Sequence, residues 1–394
     1  MRKIIAKIVL VIPVVVMGGT RAYAYDVANG FTLDGFGYQD YRQTSANRVD
    51  YVGQTGNGVH NFLGLLMVGQ LTDRSKLWAQ LQANTTNHPN FTWLFLDWQF
   101  TDSVTGHVGR VKFPFGLINE YIDNKALQMT LTLPFAVSES ADMTYDSYTG
   151  VGLDWNTPDT PWGNSLLQGF FGNTYTSPAP ILATTYPNNP PVAIGPASAT
   201  QMQPTTDLHL LGGRVTWNTP LTGLRFMLSG SVTEVGLQPL ALTPANYASL
   251  MTREYRLMYS AEYRRDGLWV QSEYNLHRFP GGAGYVGIDA DSAYVQAGVT
   301  VGKFLPYIRA QTVVTNQNLS SNPNFYQQQW SVGSNYALLA NLNVRLELDR
   351  NHGFAMPIAS QGSPYYPPGA MLAPGGGVPA LNWNEVGVEM NFTF

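Results

Sequence analysis

The chain has 394 residues, of which 12% are charged and 12% aromatic; it contains no cysteine and carries a formal net charge of −4 at pH 7. About a quarter of the residues of an ordinary soluble domain are charged, so this composition is typical of a chain with a surface facing lipid. The lack of cysteine excludes disulfides, thiolate zinc sites and cysteine nucleophiles. The net negative charge is unlike the excess of basic residues in a nucleic-acid-binding protein.

The first 24 residues have the pattern of a cleaved secretory signal peptide. Three basic residues precede an apolar run over residues 8–17, and an A-x-A cleavage site ends at Ala24. The run is shorter than the roughly 20 apolar residues that a membrane-spanning helix needs. We therefore predict a single mature domain over 25–394, in which 18 Lys and Arg face 26 Asp and Glu, a net charge near −8.

The mature chain is dominated by an alternation of apolar and polar residues with period two. In the last segment, every second residue from Val386 to Phe394 is apolar, and the residues between them are polar or glycine. This is the pattern of a strand with one face toward lipid and the other toward a wet lumen. It predicts sixteen strands, near residues 29–42, 60–71, 77–85, 91–100, 104–113, 146–156, 164–174, 206–217, 223–234, 252–264, 267–278, 291–302, 305–316, 326–337, 341–350 and 384–394.

The connections between these segments alternate between short turns and longer loops. Short turns with longer loops at the opposite end are typical of an up-and-down membrane barrel, and an even strand count puts both termini on the periplasmic side. A soluble carbohydrate-binding sandwich would need a dry shared core, whereas this chain repeatedly places Arg and Glu opposite Leu, Val and Tyr. The predicted fold is all-β: a transmembrane antiparallel up-and-down β-barrel of sixteen strands.

The third long connection, from Pro114 to Tyr145, is moderately apolar, which favours a loop folded into the barrel and packed against its wall. A barrel of this size otherwise leaves an aqueous channel, so such a loop would form the constriction. An extracellular lid is one alternative; an added hairpin at 127–137, which would make eighteen strands, is another. The polar loop residues expected to line the pore are Asn119, Glu120, Asp123, Asn124 and Lys125.

Strand parity places many charged side chains inside the barrel, where rings of charge set the ion preference of a pore. The predicted basic wall consists of Arg110, Lys112, Arg214, Arg225, Arg256, Arg309 and Arg345. The predicted inward acids are Glu254, Glu262, Glu273, Glu347 and Glu389. Our hypothesis is that these arginines face the loop acids across the constriction and set selectivity; a network of structural Arg–Glu pairs is the alternative.

Two motifs carry a resemblance to a known family. The last strand ends in Met390-Asn391-Phe392-Thr393-Phe394, and residues 109–117 read Gly-Arg-Val-Lys-Phe-Pro-Phe-Gly-Leu. The first resembles the barrel-assembly signal of the Gram-negative outer-membrane porins, carried by Phe394. The second is similar to the start of the constriction loop in porins related to the phosphate-selective and dicarboxylate-type channels.

This resemblance implies an outer-membrane location and a water-filled channel for passive diffusion of small hydrophilic solutes and ions. It also implies contacts with outer-membrane lipid and the barrel-assembly machinery, and a homotrimer. The six histidines are scattered and none lies in a nucleophile motif, so we expect no enzymatic activity, cofactor or metal. The alternatives are a non-conducting outer-membrane barrel, acting as a scaffold or adhesin, and an outer-membrane hydrolase.

Overall fold

The structure is a computed structural model, and the predicted leader lies outside the residues that it describes. The described residues are 25–28, 30–47, 61–84, 89–137, 143–174, 202–204, 209–239, 251–279, 288–317, 320–323, 325–356 and 380–394.

Sixteen long antiparallel strands form a closed barrel, which confirms the predicted fold and strand count. Two shorter strands, β1 (Tyr25–Ala28) and β9 (Met202–Pro204), pair with the ends of β2 and β11. The barrel strands are β2 (Phe31–Thr44), β3 (Asn61–Thr72), β4 (Ser75–Asn84), β5 (Asn90–Thr101), β6 (Val104–Lys112), β7 (Ser147–Asn156), β8 (Asn164–Thr174), β10 (His209–Asn218), β11 (Leu224–Pro239), β12 (Met251–Arg265), β13 (Leu268–Phe279), β14 (Ile288–Val299), β15 (Phe304–Val314), β16 (Tyr326–Leu339), β17 (Leu342–Gly353) and β18 (Asn382–Thr393).

Each barrel strand pairs with the next one along the chain, and β18 closes the ring by pairing with β2. The closing register places Val388 opposite Tyr41 and Glu389 opposite Asp40. The chain end is fixed at this seam, because the backbone N–H and C=O of Phe394 both bond to Gly35 at 2.8 Å. The predicted strand positions are confirmed with small differences at the ends.

The two faces of the wall differ in polarity, as period-two alternation requires. Exposed apolar side chains cover the outside, among them Leu63, Met67, Leu94, Val108, Val151, Leu153, Val215, Leu228, Tyr259, Val295, Ile308, Val332, Leu346 and Leu348. Exposed aromatic residues lie near the short turns, including Trp98, Phe100, Trp155, Trp217 and Phe304. None of the helical segments in the described ranges has the length and apolar character to cross a membrane.

The face assigned to Arg110 is a correction to the sequence analysis. Arg110 lies opposite Leu94, an exposed residue of the outer face, and residues paired across neighbouring strands share a face. Its guanidinium donates to Ser147 Oγ at 2.9 Å and to the carbonyl of Phe91 at 3.2 Å. The inward residue of this region is instead His107. Arg110 therefore lies on the outer face and is not part of the lumen wall. Near the strand end, these two hydrogen bonds give its guanidinium partners there.

Candidate functional site: the loop inside the barrel

The connection from β6 to β7, residues 113–146, folds into the barrel, and we call it the inner loop. It is described over 113–137 and 143–146. Its two ends meet in a backbone hydrogen bond from Phe113 N–H to the carbonyl of Asp146, at 3.0 Å. It contains three short 3₁₀ turns and no strand over 127–137, so the barrel has sixteen strands and not eighteen.

The inner loop enters the lumen through a tight turn at Gly116, which has a φ of +68°. The Gly116 N–H donates to Ser229 Oγ at 3.0 Å, and the next N–H, of Leu117, donates to the Glu273 carboxylate at 2.5 Å. Arg214 donates to the Gly116 carbonyl at 3.0 Å. Three wall strands therefore hold this turn at its backbone.

We expect Gly116→Ala to loosen the entry of the inner loop. A Cβ at this position would collide with Met258 Sδ and with the Glu273 carboxylate, and the positive φ is unfavourable for alanine. The variant should lose more than about 1 kcal/mol of unfolding free energy. Denaturant unfolding of the refolded barrel measures this. Gly302→Ala is the control, because Gly302 also has a positive φ, of 60°, but its Cβ would meet no neighbour. Equal losses in both variants would mean that φ strain alone accounts for the effect.

Arg345 on β17 holds the middle of the inner loop. Its five N–H donors bind the side-chain oxygens of Asn335 and Glu389 and the backbone carbonyls of Lys125, Gln128 and Thr130. Since arginine has five such donors, every one of them is used. The side chain is buried, and its ion pair with Glu389 is 2.9 Å long. Arg345 is therefore a structural anchor of the inner loop.

Glu347, on the same strand as Arg345, and Arg309, on β15, bind the adjacent loop residues. The Glu347 carboxylate accepts from the backbone N–H groups of Leu131 and Thr132, at 2.9 and 3.1 Å, and from the Thr132 hydroxyl at 2.6 Å. Arg309 donates to the Thr132 carbonyl at 2.6 Å and to Thr130 Oγ1 at 2.9 Å. We call Arg309, Arg345 and Glu347 the loop clamp.

Apolar packing fills the space between the wall and both the entering and the returning parts of the inner loop. The largest cluster joins loop residues to inward residues of β6 to β8, β10, β12 and β14. Its buried members are Val111, Phe113, Phe115, Ile118, Ala136, Val137, Tyr145, Tyr148, Phe170, Leu210, Met258 and Tyr294. Asn275 on β13 adds two hydrogen bonds of 2.7 Å, to the carbonyls of Ala136 and Met143.

The inner loop also contacts the opposite side of the barrel. Asp123 accepts from Gln80 on β4 at 2.9 Å and pairs with Lys112 on β6 at 2.8 Å. The Lys125 ammonium lies 5.5 Å from the centre of the Tyr38 ring on β2. Burial inside the loop lowers the pKa of Lys125, and its Nζ donates to the Leu131 carbonyl at 2.9 Å. The loop thus narrows the lumen from wall to wall.

The five loop residues predicted to line the pore have different surroundings. Glu120 is exposed and pairs with Arg214 at 2.5 Å, and Asp123 is partly exposed. Asn119 is fully buried and donates to the carbonyls of Phe113 and Tyr145, and Lys125 is buried as described above. The prediction that Asn119 and Lys125 line the pore is therefore wrong, because both satisfy the loop backbone. Asn124 caps a 3₁₀ turn by accepting from Ala126 N–H at 3.1 Å.

Apart from Arg110, the predicted inward charges do lie inside the barrel, but most of them are covered by the inner loop. Lys112 pairs with Asp123 and Asp146, and Arg225 pairs with Glu262 at 2.9 Å. The residues buried at the wall are Arg214, Arg256, Arg309, Arg345, Glu254, Glu262, Glu273, Glu347 and Glu389. Arg256 pairs with Glu254 at 2.5 Å, and its guanidinium lies 3.7 Å from the centre of the Tyr145 ring.

His107 on β6 forms a cluster that the sequence analysis missed. Its Nδ1 lies 2.6 Å from Asp97 on β5, and its Nε2 lies 3.2 Å from Asp154 on β7. All three side chains are partly exposed inside the barrel. The parity of β6 contained the signal, since His107 alternates with the apolar residues Val104 and Val108.

Comparison with solved structures places this architecture among outer-membrane barrels. Outer-membrane expressed OmpT of Vibrio cholerae superimposes with a TM-score of 0.55 at 10% identity, covering 94% of this chain and 100% of that chain. The anion-selective porin from Comamonas acidovorans gives 0.57 at 14% identity, covering 92% and 100%. A mutant of the Rh. blastica porin gives 0.50 at 12% identity, also covering 92% and 100%.

At these identities the likeness shows the fold alone, so the chain has the sixteen-strand fold found in outer-membrane porins. No protein-family model and no curated protein matches the sequence.

Proposed function

We propose that this chain resides in the outer membrane of a Gram-negative bacterium and forms a channel for passive diffusion of small hydrophilic solutes and ions. A closed barrel leaves no strand edge unpaired, which is what a lipid environment demands. The apolar outer face and the charged inner face support this assignment, because charge on the lipid face costs roughly 2 to 4 kcal/mol at mid-depth.

The distribution of charge over the wet part of the lumen carries the proposal for selectivity. Acidic side chains there keep 17 to 37% of their surface: Asp97, Glu120, Asp123, Asp146 and Asp154. The buried arginines keep 3% or less: Arg214, Arg256, Arg309 and Arg345. These acids keep more contact with water than these four arginines, which face the inner loop, and we propose on this ground that the channel prefers cations. The alternative, that lumen arginines set selectivity, would rest on the more exposed Arg225, which keeps 29% of its side-chain surface and pairs with Glu262.

Neutralising the exposed acids should reduce this preference. We expect the double variant Asp97→Asn/Asp154→Asn to shift the reversal potential of single channels toward that of an unselective pore under a salt gradient. The matched control is Asp291→Asn, because Asp291 pairs with Arg278 and shares its strand face with Tyr274 on the outside of the barrel. A wild-type channel that prefers anions, or a variant with unaltered selectivity, would refute the proposed role of these acids.

A second candidate, a non-conducting barrel, is favoured by the contacts of the inner loop with both sides of the wall. Asp123 contacts β4 and β6, while Lys125 contacts β2 and β17. The same bilayer recording separates the candidates: discrete current steps support the channel, whereas a folded and inserted barrel without current supports a plugged scaffold or adhesin.

We propose no enzymatic role, and the surroundings of two inward histidines support this. Both ring nitrogens of His107 face carboxylates, so neither is free to act as a base toward a hydroxyl nucleophile. His277 is fully buried beside Glu254, where substrate has no access. In the described part of the chain, no group of three or more His, Cys, Asp or Glu side chains is placed to hold a metal ion.

The proposed partners are outer-membrane lipid, the barrel-assembly machinery and two further copies of this chain. The exposed C-terminal Phe394 supports an assembly signal. One OmpT structure of Vibrio cholerae is described as a trimer form, which motivates the proposed homotrimer. Assignment to the phosphate-selective and dicarboxylate-type branch rests on residues 109–117, and the acidic wet lumen does not favour a phosphate-selective pore.

A further inference from the structure

The inward face of β2 to β5 departs from the polarity expected of a lumen wall. Strand β3, Asn61–Thr72, has no charged residue, and its inward positions are mostly apolar. Cross-strand pairing places Phe62 opposite Tyr38, and Val68 opposite Trp78. The interior of a water-filled barrel is normally polar. We call the inward residues Phe36, Tyr38, Phe62, Leu66, Val68, Trp78, Trp93 and Phe95 the aromatic wall.

Aromatic rings of this wall form two groups of three, and the rings within each group are nearly parallel. Phe62 lies between Phe36 and Tyr38, with ring centres 5.9 and 5.7 Å apart and planes inclined by 23° and 10°. Phe95 lies between Trp78 and Trp93, with centres 6.2 and 6.0 Å apart and planes inclined by 7° and 21°. A further ring can extend such a stack at its end or pack edge-to-face against it.

Polar atoms beside the aromatic wall are already paired with each other. The Trp78 indole N–H donates to Asp97 at 2.8 Å. Gln80 donates to Thr92 at 2.9 Å and to Asp123 of the inner loop, also at 2.9 Å. The indole N–H of Trp93 has no partner among the described residues, but it is buried and faces no solvent. The wall therefore offers ring surface rather than accessible donors, and this distinguishes it from a surface suited to sugars, whose hydroxyls each require a hydrogen-bonding partner.

The inner loop leaves much of this wall uncovered. Phe36 is buried, but Tyr38, Phe62, Trp78 and Trp93 are each partly exposed inside the barrel. The loop clamp attaches the loop to β15 and β17, and the largest apolar cluster attaches it to β6 to β8, β10, β12 and β14. Of the wall residues, Phe95 packs against this cluster. On the loop, the turn Lys125–Leu127 packs beside β2 and β18, and Leu127 is exposed.

We propose that the aromatic wall is a binding surface for uncharged, planar aromatic solutes on their way through the lumen. This inference rests on the proposed channel function and names a substrate class for it. A ring stacked on the wall displaces water from apolar surface, while the polar part of the solute stays in the wet lumen near Asp97 and His107. Weak binding along the wall raises the local concentration of such solutes in a narrow passage.

Equilibrium dialysis of the barrel in lipid nanodiscs tests the inference without requiring ion conduction. The probe is N-acetyltryptophanamide, compared with N-acetylalaninamide, which lacks the ring, and with glucose; empty nanodiscs correct for partition into lipid. The wall variant is Phe62→Ala/Trp78→Ala. The control is Trp98→Ala/Phe100→Ala, which removes the same two residue types from the exposed outer face of β5.

We expect the wild type and the control to bind the indole probe, and the wall variant to bind it about tenfold more weakly or worse, since each stacked ring contributes substantially to binding. The variant Phe62→Leu/Trp78→Leu, which keeps an apolar wall without rings, should show the same loss if the alanine variant fails to fold. Equal binding by wild type and leucine variant, or tighter binding of glucose or the alanine amide, would overturn the inference. A barrel that binds the indole probe but conducts no ions would refute the channel and leave the aromatic specificity standing.

Discussion

Excising the inner loop should raise single-channel conductance several-fold. The test variant replaces residues 115–144 by a short glycine–serine linker. The backbone hydrogen bond between Phe113 and Asp146 holds the two ends close together, so the linker can join them as a hairpin turn does. A sixteen-strand barrel is wide enough for an aqueous channel, so the loop is the main obstacle in the lumen. Loss of the loop exposes the clamp residues to water, where charged side chains are readily solvated, and the wall should therefore still fold.

Planar-bilayer recording of the refolded variant measures this effect, with retarded gel migration on heating as the check that the barrel has formed. The control carries the same linker inserted at the turn between β5 and β6, around Asp102, outside the lumen. A folded variant with wild-type conductance would show that the inner loop does not limit the current. If neither the wild type nor the loop-deleted variant conducts current, the non-conducting barrel is favoured.

Arg345→Ala should be the most destabilising single substitution in the loop clamp. It leaves the Glu389 carboxylate buried without the guanidinium that pairs with it, and three loop carbonyls lose their hydrogen bond from that guanidinium. Removing one partner of a buried ion pair costs about 3 to 5 kcal/mol, because the remaining charge is neither paired nor solvated. We therefore expect a loss of that size in the free energy of unfolding, together with increased current noise from a loosened loop.

The matched control is Arg225→Ala, because Arg225 also faces inward and pairs with a glutamate on the neighbouring strand. Its side chain is 29% exposed, and its partner, Glu262, belongs to the wall and not to the inner loop. Because Arg225 is partly exposed, and because Glu262 also accepts hydrogen bonds from Trp269 and Gln271, this substitution should cost less than Arg345→Ala. Urea titration of both variants in detergent micelles measures the difference; similar losses would contradict the anchoring role of Arg345.

These two predictions separate two properties that one loop combines. The anchoring of the loop depends on arginines and glutamates of β10 to β18, which the loop removes from water. Solute selection, as proposed, depends on the acids and rings of β2 to β7. Porin-like transport therefore does not require that every inward charge act on the solute. In this chain most inward arginines act on the loop.

The sequence alone determined the barrel, and it favoured sixteen strands over eighteen and an inward third long loop over an extracellular lid. Alternation is a local property: each residue of Val386 to Phe394 faces lipid or lumen by its place in the strand, whatever lies elsewhere in the chain. The apolar residues of the loop likewise indicated a packed segment. The length of each turn followed from the same local pattern.

Only the tertiary structure decided which charges meet water. The contact between Glu347 and the N–H of Leu131 joins residues 216 positions apart, and no local pattern specifies such a pair. The face of Arg110 was mistaken although the parity of β6 contained it, since Arg110 shares its parity with the exposed Val108. The burial of Asn119 was mistaken because it depends on the carbonyls of Phe113 and Tyr145, which the folded loop brings to it. The aromatic wall also required the register of four strands, because parity identifies a face but not the neighbours that make a continuous surface on it.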